Sequence, residues 1–214
     1  GLGVNPGAWW VWGNTGAGAA WLTQTPPGDD ATSGVGSNGG TWTPVVLPVG
    51  AAVILALARD GTHGSNGHLV ASRMVGGLTY SIDAAHTTWQ TAAGAIAAAI
   101  TESTSVIWTG VEWVALVNNG LVEVYSAAAP TDPWPLIVSL AGTAAIAPYA
   151  RLATDGAGRV VIWPSYPAAG NAVLRYSDDG GVTWTTLAAV AGLQDMTALR
   201  YQDGTWIASS RLTP

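Results

Sequence analysis

At 214 residues, with 49% apolar and only 9% charged side chains, the chain is long enough for one packed domain and too apolar to be disordered. Its formal net charge of −6, with seven basic residues that are all Arg, argues against a surface that tracks phosphates, so nucleic acid is not an expected partner. The absence of Cys removes disulfides and thiolate metal sites, and the longest Ala-rich run, TAAGAIAAAI over 91–100, is about half the length of a bilayer-crossing helix, so no membrane span is expected.

Gly at 28 and Pro at 12, with no collagen-like period, suit many short strands and tight turns. Tryptophan reaches 12 while Phe is absent, so large apolar burial falls on indoles, whose N–H needs a partner when buried. No charged-then-apolar leader is seen at the N-terminus.

The predicted elements fall into units of similar plan. The first, about 1–47, has a stunted inner strand at Leu2 to Val4, then AWWVWG, AAWLTQT and GTWTPVV, with the loop PPGDDATSGVGSNGG (26–40) between the last two. Within AWWVWG, Trp10 and Trp12 share one face while Trp9 and Val11 take the other, a period of two with both faces apolar. The second unit, about 48–100, reads VILALAR, HLVASR, LTYSID and TTWQTA, followed by TAAGAIAAAI as a connector. The third, about 101–140, reads SVIWTG, EWVALV, LVEVYS and DPWPLI, with Asn118-Asn119-Gly120 supplying the hairpin pair that tolerates positive φ.

The fourth unit, about 145–190, reads YARLAT, RVVIWPS, AVLRYS and VTWTTL, and a partial fifth, 195–214, holds MTALRYQ and TWIASSR. Trp42, Trp89, Trp134 and Trp184 close the four units at intervals of 47, 45 and 50 residues, a period that marks propeller blades or solenoid turns. Four strands per unit is the propeller count. The expected fold class is therefore all-β: a β-propeller of four-stranded antiparallel blades, four complete and a fifth partial, in a single domain over 1–214. An unpaired strand edge invites aggregation, so the partial blade must be covered. A five-place ring with a thin last blade, a four-blade ring with the last strands outside it, and completion by another chain all satisfy that need.

The stretch YSDDGGVTWT resembles the Asp-box, or BNR repeat, of sialidases and of many propellers that are not sialidases. Ser177, Asp179, Gly181, Thr183 and Trp184 match every fixed position. The other copies are degraded: Ser81-Ile82-Asp83 with Thr88-Trp89 has an extra residue, Ser126 with Asp132 and Trp134 has a longer loop, and Gly40-Thr41-Trp42 keeps only the tail. The resemblance implies a structural role at the blade periphery, in which Asp179 accepts backbone N–H bonds across a turn that Gly181 permits and Trp184 seals the hairpin.

A sialidase-like glycosidase is the sharpest catalytic reading, because sugar hydrolysis needs a pair of carboxyl groups about the bond. The resemblance implies about six blades, an early Arg-Ile-Pro, three convergent arginines and a Tyr-Glu nucleophile pair. No Arg-Ile-Pro occurs here, and the glutamates are only Glu102, Glu112 and Glu123. Arg59, Arg151 and Arg200 lie on inner strands and form a candidate anion site, with Asp60, Asp155 and Asp203 as alternative partners close in sequence. His63 and His68, beside Asp60, lack the usual facing spacing of a metal site, and His86 stands apart. Asp29-Asp30 and Asp178-Asp179 lack the acidic ladder of a calcium loop.

No catalytic residue, metal or cofactor is assigned on these grounds. Trp9, Trp10 and Trp12, with Trp21, form a candidate platform for a sugar ring or a partner side chain. The expectation is a non-catalytic binding or structural module in a larger extracellular or virion assembly, such as a phage tail or capsid-associated part. Its expected partners are proteins or further copies of itself, with a lectin-like glycan binder and a reduced sialidase-like hydrolase as alternatives.

Overall fold

The computed structural model describes residues 9–12, 19–23, 42–46, 54–60, 68–73, 77–81, 88–98, 102–118, 122–140, 151–163, 174–188 and 196–210. These residues form antiparallel sheets, with one helical turn, α1 (Ala95–Ala98). The first sheet is β1 (Trp9–Trp12), β2 (Ala19–Thr23) and β3 (Trp42–Val46). The second is β4 (Ile54–Arg59), β5 (Leu69–Arg73), β6 (Leu78–Ser81) and β7 (Gln90–Thr91), in that order. The third is β8 (Glu102–Trp108), β9 (Trp113–Asn118), β10 (Val122–Ala127) and β11 (Leu136–Leu140).

The fourth sheet is β12 (Arg151–Thr154), β13 (Val160–Trp163), β14 (Arg175–Ser177) and β15 (Thr185–Thr186), and the fifth is the hairpin β16 (Met196–Gln202) and β17 (Thr205–Ser210). Every named strand pair is antiparallel and joins neighbours in sequence, the meander that short connections favour. The expected first strand of the first unit, Leu2 to Val4, lies outside the described residues, as do the loop 26–40, His63 and His86.

The sheets follow one another through their first strands. β4 lies against β8, β8 against β12, and β12 against β16. Alternation along β9 shows how the third sheet is held on both faces. Trp113, Ala115 and Val117 join a core with Val70, Leu78, Tyr80, Ala92 and Ile96 of the second sheet and its connector. Val114 and Leu116, one residue out of phase, join a second core with Leu152, Val160 and Ile162 of the fourth sheet. The fourth sheet repeats the device, since Ala153 and Val161 face away from that core and pack with Leu199 and Trp206 of the fifth. A strand of continuous apolar residues is what such two-sided burial demands, and WVALV in β9 supplies it.

Three features refine the expected elements. Two of the closing tryptophans lie just before their outer strands, Trp134 before β11 and Trp184 before β15, each indole bonded into the loop that precedes it, whereas Trp42 begins β3 as expected. The connector TAAGAIAAAI contains the single turn α1, whose Ile96 is fully buried in the core between the second and third sheets. Three of the first strands, β4, β8 and β16, carry a bulge near their start, with Leu55, Thr104 and Thr197 as the extra residues, while β12 pairs with β13 without a shift. A bulge increases local twist, and its recurrence at one place bends these three strands alike.

Candidate functional site

The most highly organised polar group among the described residues is the loop between β14 and β15. Ser177 is buried at the end of β14, and its Oγ accepts from the Gly181 N–H at 2.8 Å and from the Asp179 N–H at 3.3 Å while donating to Asp179 Oδ1 at 2.6 Å. The same Oδ1 accepts the N–H groups of Val182 at 3.0 Å and Thr183 at 2.8 Å, and the Thr183 hydroxyl donates to Oδ2 at 2.6 Å. These donors, led by the Ser177 and Thr183 hydroxyls and then the Thr183 N–H, pull the Asp179 carboxyl down to about 2. Gly180 and Gly181 take positive φ, 74° and 108°, a backbone that lets the chain reverse around the carboxylate.

Trp184 closes the loop. Its Nε1–H donates to the Gly181 carbonyl at 2.8 Å, and its ring joins the core between the third and fourth sheets. A Cβ placed on Gly181 would lie 3.3 Å from a methyl of Val114 in the third sheet, so the loop rests directly on its neighbour. The degraded third copy keeps this lock in a different form. Trp134 Nε1–H donates to the Pro130 carbonyl at 3.3 Å, the indole is completely buried, and its backbone N–H bonds to the Ala93 carbonyl at 3.0 Å across to the second sheet. Asp132, placed later in its loop than Asp179, accepts the N–H of the preceding Ala129 at 3.1 Å.

A second set of turns lies at the same end of the sheets, where each first strand turns into its second. Thr109, Asp155, Asp203 and Asp60 occupy one position in successive turns, each followed by Gly. Asp155 Oδ1 accepts the N–H groups of Ala157 at 2.8 Å and Arg159 at 3.0 Å, and Thr109 Oγ1 accepts those of Val111 at 3.3 Å and Glu112 at 3.0 Å. Asp60, buried, accepts the His68 N–H at 3.0 Å and holds His68 Nδ1 at 2.5 Å from its Oδ2. One bond stitches the turns between sheets, Gly158 N–H donating to the Thr109 carbonyl at 3.2 Å, and a second joins two loops of the fourth sheet, Gly180 N–H donating to the Gly158 carbonyl at 3.0 Å.

This repeat of turn residues, at intervals of 49, 46 and 48, was present in the sequence beside that of the tryptophans, masked because Thr replaces Asp in the third copy.

The sequence candidates are not gathered. Arg59 ends β4 next to the turn, whereas Arg151 begins β12 at the opposite end of its strand, paired in register with Trp163. Arg200 donates within its own strand to Gln202. Asp60 and Asp155, considered as partners for these arginines, serve His68 and the turn of Asp155. An arginine outside the candidate trio, Arg159, is bound to an acid, its Nε 2.5 Å from Asp178 Oδ1 and its guanidinium 5.6 Å from the Tyr176 ring centre. Trp9, Trp10 and Trp12 are placed on β1 by the backbone, and their side chains lie outside the described residues.

Among the described residues a tyrosine is hydrogen-bonded to a glutamate, the Tyr125 phenol donating to Glu123 Oε2 at 2.8 Å. Tyr125 is only 4% exposed, and burial, then the bond to Glu123 and its negative charge, push the phenol well above its ordinary range. A phenol held protonated inside a core is a packing group and has no access to a sugar. No group of three or more acidic or His side chains with metal-binding geometry occurs among the described residues. No helix among them is long and apolar enough to cross a membrane.

With this geometry established, the chain can be set beside known proteins. No family model and no curated protein matches the sequence. Solved structures do match. The computationally designed Ika8 protein is 15% identical with a TM-score of 0.59, covering 98% of this chain and 54% of that one. PorZ, a surface component of the type-IX secretion system of Porphyromonas gingivalis, is 13% identical with a TM-score of 0.57, covering 95% of this chain and 22% of its own. The β-propeller domain of Cps50 (Swd1) from Myceliophteria thermophila is 14% identical with a TM-score of 0.54, covering 95% and 62%. The chain therefore shares its fold with part of a β-propeller, and it spans less than two thirds of each of these three proteins.

Proposed function

We propose that the chain is a β-propeller of Asp-box type in a single domain, four blades and the inner pair of a fifth, and that it acts as a non-catalytic binding or structural module. The loop Ser177 to Trp184 is its intact Asp-box. The observation that carries the non-catalytic reading is the fate of the acids at the turn end of the sheets. Asp60, Asp132, Asp155 and Asp179 each accept a backbone N–H of their own loop. A carboxylate committed in this way stabilises a turn, and its lone pairs are taken up by its own loop rather than offered to a substrate.

The likeness of fold to PorZ, a bacterial surface component, supports a place in a larger extracellular assembly, and a virion part such as a phage tail or capsid-associated protein belongs to the same reading. Partners are then other proteins or further copies of the chain, through surfaces outside the turn loops. The test is a panel of sialosides and other glycosides assayed for turnover, run beside a glycan-binding array. The expected result is no turnover, and no change on Glu112→Gln or Glu123→Gln. Turnover abolished by either change would overturn the proposal, while glycan capture lost on Trp9→Ala, Trp10→Ala or Trp12→Ala would identify a sugar as the ligand of the module.

A further inference from the structure

The sequence contains four Asp-Gly pairs, Asp60-Gly61, Asp155-Gly156, Asp179-Gly180 and Asp203-Gly204. This dipeptide has a characteristic reactivity. The backbone nitrogen of the glycine attacks the side-chain carboxyl carbon of the aspartate, water leaves, and a five-membered succinimide forms. Addition of water to either carbonyl of that ring restores aspartate or yields isoaspartate, in which the main chain runs through the former side chain. The net change is an isomerisation that consumes and releases one water and needs no other reactant. Glycine favours the attack because no Cβ shields its nitrogen.

Attack requires a side chain free to rotate its carboxyl group onto the next nitrogen. Three of the four acids are held away from that position. Asp60 is buried and bound to the backbone and ring of His68, Asp155 accepts two N–H groups of its turn, and Asp179 accepts two N–H groups and two hydroxyls. The low value of Asp179, about 2, also keeps it in the ionised form, which is the less reactive one because hydroxide is a worse leaving group than water.

Asp203 differs in each respect. It is exposed, its carboxylate has no partner among the described residues, and it sits at φ 49° with Gly204 at φ 80° in the two-residue turn between Gln202 and Thr205. Positive φ at both central residues is the mirror-image hairpin turn, whose central nitrogens face solvent. We infer that Asp203-Gly204 is a site of spontaneous covalent modification, converting to isoaspartate in the folded protein while the other three Asp-Gly pairs are protected by their hydrogen bonds. The product adds a methylene to the main chain of a turn that has only two residues between strands. It therefore breaks the register Gln202 to Thr205 and loosens β16 from β17.

The test is incubation of the folded protein at 37 °C and neutral pH for weeks, followed by peptide mapping with fragmentation that separates aspartate from isoaspartate. Asn38-Gly39, Asn66-Gly67 and Asn119-Gly120 react by a related route but change in mass, so they do not interfere. Isoaspartate is expected at position 203, at least about tenfold more than at 60, 155 or 179, since each retained hydrogen bond must be broken before ring closure. The same incubation in denaturing urea should bring the four sites to similar rates, and Asp203→Ser should remove the signal. Equal conversion at all four sites in the folded protein, or none at 203 when the urea sample converts there, would refute the assignment. Faster amide exchange at Trp206 and Ile207 in the aged fraction would accompany the expected result.

Discussion

Replacing Trp134 by Ala should destabilise the protein more than replacing Trp184, although Trp184 belongs to the intact sequence motif and Trp134 to a degraded one. Trp134 is 0% exposed and its ring fills the core shared by the second and third sheets, together with Trp113, Tyr80 and Ile96. Truncating a buried tryptophan costs about 3–5 kcal/mol through lost burial and the cavity left behind. The Pro130 carbonyl also loses its donor, Trp134 Nε1. Against a total stability of about 5–15 kcal/mol, that change alone brings a domain near its unfolding threshold.

Trp184 is partly exposed at the margin of the next core, so its truncation should cost roughly half as much, about 2 kcal/mol. Trp134→Phe removes the Nε1–H together with only part of the buried ring and is expected to cost less than Trp134→Ala, about 1–2 kcal/mol. Urea unfolding followed by far-UV circular dichroism measures all three, because the other indoles make fluorescence ambiguous. A cost for Trp134→Ala below about 1 kcal/mol, or below that of Trp184→Ala, would show that the indole is not wedged between sheets.

Three further outcomes follow from the same geometry. The carboxyl of Asp179 is held at about 2, below the usual 3.8, so its contribution is present above the ordinary carboxylate range and is lost as pH falls toward 2. The stability gap between the native chain and Asp179→Asn should therefore be full at neutral pH and shrink under acid, and a gap constant with pH would contradict the assignment. Gly94→Ala should cost about 1–3 kcal/mol, because a Cβ there lies 2.6 Å from the Trp134 nitrogen at a φ of 88°. Gly156→Ala, also at positive φ but with nothing within 4 Å of the added carbon, should cost less in the same unfolding assay.

Much of the architecture could be read from the sequence, for reasons that particular residues make plain. The strand quartets were visible because Asn119-Gly120, itself outside the described residues, reads as a hairpin pair in the sequence and because Tyr-Ser recurs at the third-strand ends Tyr80, Tyr125 and Tyr176. The unbroken apolar run in β9 announced burial on both faces, and the two cores that divide Trp113 from Val114 are its consequence. Trp42 lies in its outer strand as expected, whereas Trp134 and Trp184 fall just before theirs. Apolar pattern alone cannot tell a strand indole from one folded into a loop by a carbonyl acceptor such as that of Pro130 or Gly181.

The first-strand bulges at Leu55, Thr104 and Thr197 left no signal, since any residue can fill the extra position in such a ladder. The candidate site fared differently. Grouping Arg59, Arg151 and Arg200 by strand ignored the position of each along its strand, and that coordinate separates Arg59 from Arg151.

The central claim is that successive sheets pack face to face, each strand of the third sheet serving a different neighbour on either side. Methyl-to-methyl nuclear Overhauser contacts in selectively labelled protein test it most directly. Val114 and Leu116 should show contacts to Leu152, Val160 and Ile162 and none to Val70 or Leu78, while Val117 should show the reverse. Contacts from both sets of β9 methyls to one and the same sheet would mean a two-layer sandwich and would contradict the account.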